Sequence, residues 1–191
     1  MKEVEVLMRV IKGANELEEG LRKIARFVGE VQVADQYYHD PLRNGDYFSS
    51  AGTFISSLRL RQKDDKAQVA HKQDHFDEAG SWIYSDELET EVGDHETFER
   101  LIAALGHQKL VRVEILKKTF LTDEYEIVLE EVKDLGIFVE VEALRVSDEA
   151  NIADVKDKIR KFLKSLGVEG NEEACSGKPE LLWLQQNKKR A

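Results

Sequence analysis

The sequence predicts an α+β fold: an antiparallel β-barrel of about eight strands with a few flanking helices. Three observations lead there. Most of the chain alternates apolar and polar residues with the period of a pleated strand. Only three segments space their apolar residues at helical intervals. Three separated strands, around Glu3-Val4-Glu5-Val6, Glu87–Val92 and Ile137–Leu144, carry carboxylates two residues apart, so each presents an acidic row on one face. A closed sheet gathers such rows around one interior.

Lys2 to Val10 alternates as the first strand, with Glu3, Glu5 and Leu7 on one face and Val4, Val6 and Met8 on the other. Asn15 to Val28 places Leu17, Leu21, Ile24, Ala25 and Val28 on one helical face, with Gly29 as the stop. Val31 to Tyr38 is a strand ended by His39-Asp40-Pro41, and Arg43 to Thr53 is a loop. Leu58-Arg59-Leu60-Arg61 ends a strand with two guanidiniums on one face. A hairpin turn over Gln62 to Lys66 leads into a short strand, Ala67 to Lys72, and then a polar loop, Gln73 to Gly80.

Trp82 to Val92 is the second acidic strand. Asp94 caps a helix from His95 to Leu105, and Gly106 ends it. Leu110 to Thr119 and Tyr125 to Val132 form a hairpin, and Asp134-Leu135-Gly136 turns the chain into the third acidic strand. Ile152 to Leu166 is the last amphipathic helix, stopped by Gly167. Residues 1–183 thus read as a single domain, with Leu181, Leu182 and Trp183 anchoring a flexible tail over 184–191.

The chain's 191 residues and 41% hydrophobic content suffice for one core. A formal charge of −10 argues against nucleic acid as a partner, because backbone binding needs a basic surface. The lone Cys175 excludes an internal disulfide and a cysteine metal cluster, and the five histidines show no ligand spacing. Without a signal peptide or an apolar run of membrane length, the expected setting is cytoplasmic, with no membrane partner.

One Glu-x-Glu strand is most simply the solvated face of a sheet. Three of them, with an Arg-x-Arg strand, bring a shared polar interior level with the solvated-face reading. Confined carboxylates need a counter-cation or raised pKa values. A hard divalent ion, Mg²⁺ or Mn²⁺, suits their oxygens. Arg59, Arg61, Lys72 and Lys117 supply cations suited to phosphate.

In this order the motifs resemble the CYTH superfamily, the triphosphate tunnel metalloenzymes, and within it the class IV adenylate cyclases, which are similar to thiamine triphosphatases. Glu3-x-Glu5 resembles the opening signature and Asp35-x-Tyr37-Tyr38 the next one. Leu58–Arg61, Lys72 and Glu89-x-Glu91 resemble the central strands, and Leu129–Val132 with Leu135-Gly136-x-Phe138-x-Glu140-x-Glu142 the closing signature.

The resemblance implies an eight-stranded tunnel that holds Mg²⁺ or Mn²⁺ on Glu3, Glu5, Glu89, Glu91, Glu130, Glu140 and Glu142. It implies that Arg59, Arg61, Lys72 and Lys117 cradle a triphosphate: ATP for a cyclase, thiamine triphosphate or tripolyphosphate for a triphosphatase. A homodimer is the default for so small a barrel. The chain departs from the pattern where Leu7, Ser85 and Ile115 replace basic residues, Val33 a glutamine, Glu130 an aspartate and Lys178 a tyrosine. Those losses thin the basic wall and leave a non-catalytic nucleotide or polyphosphate binder as the alternative.

Overall fold

A computed structural model describes residues 2–50, 52–63, 66–147, 149–173 and 177–188, without the side chains of Lys2, Glu3, Lys63 and Lys66. Cys175 lies outside the described residues. In chain order the elements are β1 (Lys2–Glu3), β2 (Glu5–Lys12), α1 (Ala14–Ile24), β3 (Arg26–His39), α2 (Asn44–Tyr47), β4 (Ser56–Lys63), β5 (Lys66–Phe76), β6 (Trp82–Val92) and α3 (His95–Ala104). There follow β7 (Gln108–Leu121), β8 (Tyr125–Val132), β9 (Gly136–Ala143), α4 (Ile152–Ser165), β10 (Glu169–Glu172) and α5 (Lys178–Lys188).

All strand pairs are antiparallel, in the order β1-β6-β5-β4-β3-β7-β8-β9-β2-β10. The ends of this order meet in one segment. Glu3 pairs with Ser85 of β6, Glu5 pairs with Glu142 of β9, and between them Val4 accepts a hydrogen bond from Ala143 N at 3.0 Å. Residues 2–9 therefore touch both sides of this order, β6 through Lys2 and Glu3 and β9 through residues 5–9, and counted as one stave with β3 to β9 they make eight, consistent with the tunnel expected. That bridge covers edges that a fully open sheet would present, while β10 extends the order beyond β2.

Because side chains alternate across each strand, every stave has an outer and an inner face. Outside, α1 and α4 bury Leu17, Leu21, Ile159 and Leu163 against Val6, Phe120, Ile127, Val139 and Val141. Asn151 caps α4 by accepting from Ala153 N at 3.0 Å. On the opposite flank Ile102 of α3 packs on Tyr38, Leu60 and Ala67, and Asp94 caps α3 through Thr97 N at 2.6 Å. A third cluster lies inside the barrel, where Leu7, Val33, Val113, Ile115 and Phe138 meet Leu182 of α5.

Several boundaries differ from the sequence expectation. The helix predicted to Val28 ends at Ile24, because Ala25 is already extended and Phe27 and Phe120 pack as rings 5.2 Å apart once the chain enters β3. Gly29 is then a bulge position within β3 rather than a helix stop. β5 runs to Phe76 through the region predicted as a loop, since β6 pairs with it along its whole length. The Arg43 to Thr53 loop contains α2. The expected tail forms α5 as far as Lys188, preceded by β10 on β2. Trp183 holds α5 by packing at 5.7 Å on both Phe48 and Phe54, and residues 189–191 lie outside the described set.

Candidate active site in the barrel interior

The inner faces of the staves enclose a cavity of about 520 Å³. Of the predicted site residues, Glu5, Arg59, Arg61, Lys72, Glu89, Lys117, Glu140 and Glu142 line it. Register explains the convergence. Glu5, Glu142 and Glu126 lie directly across from one another on β2, β9 and β8, and Lys72 of β5 faces Glu87 of β6. Glu130 is fully buried beneath the lining, between Lys117 and Phe138 in the ladder. Glu91 follows Glu89 along β6 but is exposed and outside the lining. The side chain of Glu3 lies outside the described residues.

The cations of the wall differ in how fully they are engaged. Arg61 donates from Nε and Nη2 to the two oxygens of Asp35, each at 2.7 Å, and Asp35 is 1% exposed. Burial alone would raise the Asp35 pKa, yet the facing guanidinium holds it below the usual carboxylate range. Two donors of Arg61 are thus already used inside the fold. Arg59 is looser: Nη2 reaches Glu87 at 3.4 Å and Glu89 at 3.5 Å, while its buried Nε has no partner among the described residues. Its fork retains donors for an incoming anion.

Sequence reasoning missed the residue at the centre of the acidic wall. Lys178, the first residue of α5, donates to Glu130 Oε2 at 2.5 Å and to Glu140 Oε2. Lys117 Nζ lies 2.8 Å from Glu130 Oε1, an ion-pair contact off the hydrogen-bonding direction. Burial alone would raise the pKa of Glu140, but Lys178, Lys117 and Lys72 together hold it well below the ordinary range. Lys178, which burial alone would lower, is raised by Glu130, Glu140 and Glu5.

The divalent ion implied by the resemblance would have to share these contacts. Among the described residues no group of three or more His, Cys, Asp or Glu is placed to hold a metal ion. The two deepest carboxylates, Glu130 and Glu140, already have ammonium partners. As arranged here, that pair does not fit a divalent ion.

Lys156 of α4 also reaches the cavity. Its Nζ donates to Trp82 O at 2.7 Å and lies 4.0 Å from the centroid of the Trp82 ring. Ser85, which stands where an arginine was expected, donates to Asp74 at 2.6 Å and accepts from Trp82 Nε1 at 3.0 Å. Burial pushes the Lys156 pKa down to about 8, with Glu172 partly opposing it. Between pH ~8 and ~10.4 the unfolded chain therefore binds more protons at this lysine than the folded one, and stability rises with pH through that window. Lys156→Met should remove the rise. The gap between the variant and the wild type in denaturant melts should change between pH 7.5 and pH 10, and a constant gap would show that Lys156 titrates normally.

Residues 1–174 match the CYTH domain family. The chain belongs to that family. It is 24% identical over 169 residues to "Putative adenylate cyclase" of Methanocaldococcus jannaschii, covering 88% of this chain and 91% of that one. A solved structure from Pyrococcus horikoshii superposes on this CYTH protein with a TM-score of 0.79 and 26% identity, covering 96% of this chain and 99% of the other. A Hippeastrum protein described as a "putative adenylyl cyclase" with a dominant triphosphatase activity shares the fold at a TM-score of 0.62 and 15% identity, covering 97% and 96% of the two chains. Among the described residues no helix is long and apolar enough to cross a membrane.

Proposed function

We propose that this CYTH protein acts on a nucleoside triphosphate in the manner of a class IV adenylate cyclase, converting ATP to cyclic AMP and pyrophosphate. The observation that carries the reading is Arg59, whose buried Nε lacks a partner among the described residues, on the wall of a cavity that also presents Lys72 and Lys117. Guanidinium and ammonium groups converging on one space suit the oxygens of a polyphosphate. The same cavity has an apolar side formed by Leu7, Val33, Val113 and Ile115. A base or ring can rest there, whereas bare tripolyphosphate has no use for such a surface. The relative named "putative adenylate cyclase" agrees with this choice.

In this reading Arg59 and Lys72 hold the non-bridging oxygens, and Lys117 steadies the charge that grows on the leaving pyrophosphate. The ribose 3′-hydroxyl attacks the α-phosphorus in line with that leaving group. Water attacking the terminal phosphorus instead, with the diphosphate end of the substrate leaving and orthophosphate released, gives a triphosphatase, a second reading favoured by the activity described for the Hippeastrum structure. The family resemblance makes the reaction dependent on Mg²⁺ or Mn²⁺, and the phosphate contacts above involve only the protein's own cations.

The test is to incubate the purified protein with ATP, thiamine triphosphate or tripolyphosphate, with Mg²⁺ or Mn²⁺, and resolve the products. Cyclic AMP supports the cyclase and released phosphate the triphosphatase. No product from any of them overturns the enzyme reading for these substrates. By calorimetry, Arg59→Ala should weaken ATP binding at least about tenfold, the loss expected when charge-assisted hydrogen bonds worth about 1.5–3 kcal/mol are removed. Unchanged affinity would reject the assignment of Arg59.

A further inference from the structure

We propose that Lys178 is a built-in counter-cation, holding the place between Glu130 and Glu140 that the fold family's divalent ion would take, so that no metal binds at this carboxylate pair in the native protein. Three observations converge on this. Its ammonium bonds both carboxylates, and Glu130 is 0% exposed, so bulk water cannot solvate that charge instead. Lys117 supplies a second ammonium at 2.8 Å, and two negative charges therefore already face two positive ones. A divalent ion entering here would have to displace Lys178 and then sit beside Lys117, adding repulsion where the carboxylates are already paired.

The position of Lys178 is built by packing, since an apolar cluster and a hydrogen bond both anchor α5. Leu182 sits 4% exposed in the inner cluster with Leu7, Val33 and Ile115, and Gln185 donates to Asp134 O at 3.1 Å. Leu7 and Ile115 stand where the resemblance leads one to expect cations. Their apolar side chains hold the helix that brings a cation in from the C-terminal segment. The basic wall is thus relocated as well as thinned, and the relocated charge faces the acids instead of open cavity. This inference does not depend on which triphosphate is bound or whether it is turned over.

Mn²⁺ alone, titrated into the full-length protein and followed by calorimetry and by its electron paramagnetic resonance signal, tests it. In the wild-type background Glu140→Gln should leave Mn²⁺ affinity within about twofold, because the metal is not held there. Lys178→Met, which keeps the length of the side chain and removes its charge, should create a site and raise Mn²⁺ affinity at least tenfold. Adding Glu140→Gln to Lys178→Met should abolish that gain. A tenfold loss of Mn²⁺ affinity in Glu140→Gln alone, or no gain in Lys178→Met, would overturn the proposal. Should Lys178→Met fail to fold, the Glu140→Gln arm still decides, and Lys178→Gln gives a polar variant for the gain.

Discussion

Replacing Asp35 with alanine is expected to destabilise the protein by about 3–5 kcal/mol, the range for removing one partner of a buried ion pair. The reason is the charge left behind. Arg61 sends two donors to Asp35 at 2.7 Å and is only 18% exposed, so the variant keeps a guanidinium inside the barrel without its carboxylate. Asp35→Asn retains an acceptor at that position and should lose less. The effect also has a pH signature. Asp35 is held below its ordinary pKa of 3.8, so its contribution is present above about pH 4 and is lost as pH falls through the folded value. The stability gap between wild type and Asp35→Ala should therefore narrow below pH ~4 in urea melts. A loss under about 1 kcal/mol at neutral pH would mean that Arg61 finds other partners, and would return it to the list of groups available to phosphate.

Strand content and face were legible because period-two alternation states both at once. Arg59-Leu60-Arg61 shows this: Leu60 is 0% exposed under α3, and both arginines line the cavity. Closure was legible only as an inference from acidic rows, and Val4, the joint between β1 and β2, carries no mark of its role. α5 was missed because Lys178-Pro-Glu-Leu-Leu-Trp-Leu has weak amphipathic periodicity. Its docking is dictated by aromatic partners Phe48 and Phe54, more than a hundred residues away in sequence. Lys178 was read as a missing tyrosine for the same reason. A local pattern cannot show that a distant carboxylate pair is waiting for a charge. The engagement of Arg61 with Asp35 was hidden likewise, since both sit on inward faces but their pairing depends on the register of β3 against β4.

Phe138→Ala is expected to cost about 3–5 kcal/mol, as for other fully buried rings truncated to a methyl group. Phe138 is 0% exposed and belongs to the inner cluster that closes the apolar side of the cavity. The Arg9 guanidinium lies 5.1 Å above its ring and forms an ion pair with Glu173 at 3.0 Å, so the variant also loses a cation–π contact worth about 0.5–1 kcal/mol. Phe138→Leu keeps an apolar group there and should cost roughly half as much. The damage should be directional as well. Leu182 shares the cluster with Phe138, whereas Ile159 and Leu163 of α4 pack on the outer face of the sheet. Amide exchange in α5 should therefore accelerate more than in α4, because local opening follows the contacts that are lost. Equal acceleration in both helices would show that the barrel interior and its outer shell unfold as one unit, and that α5, with Lys178 at its start, is not held by the inner cluster in particular.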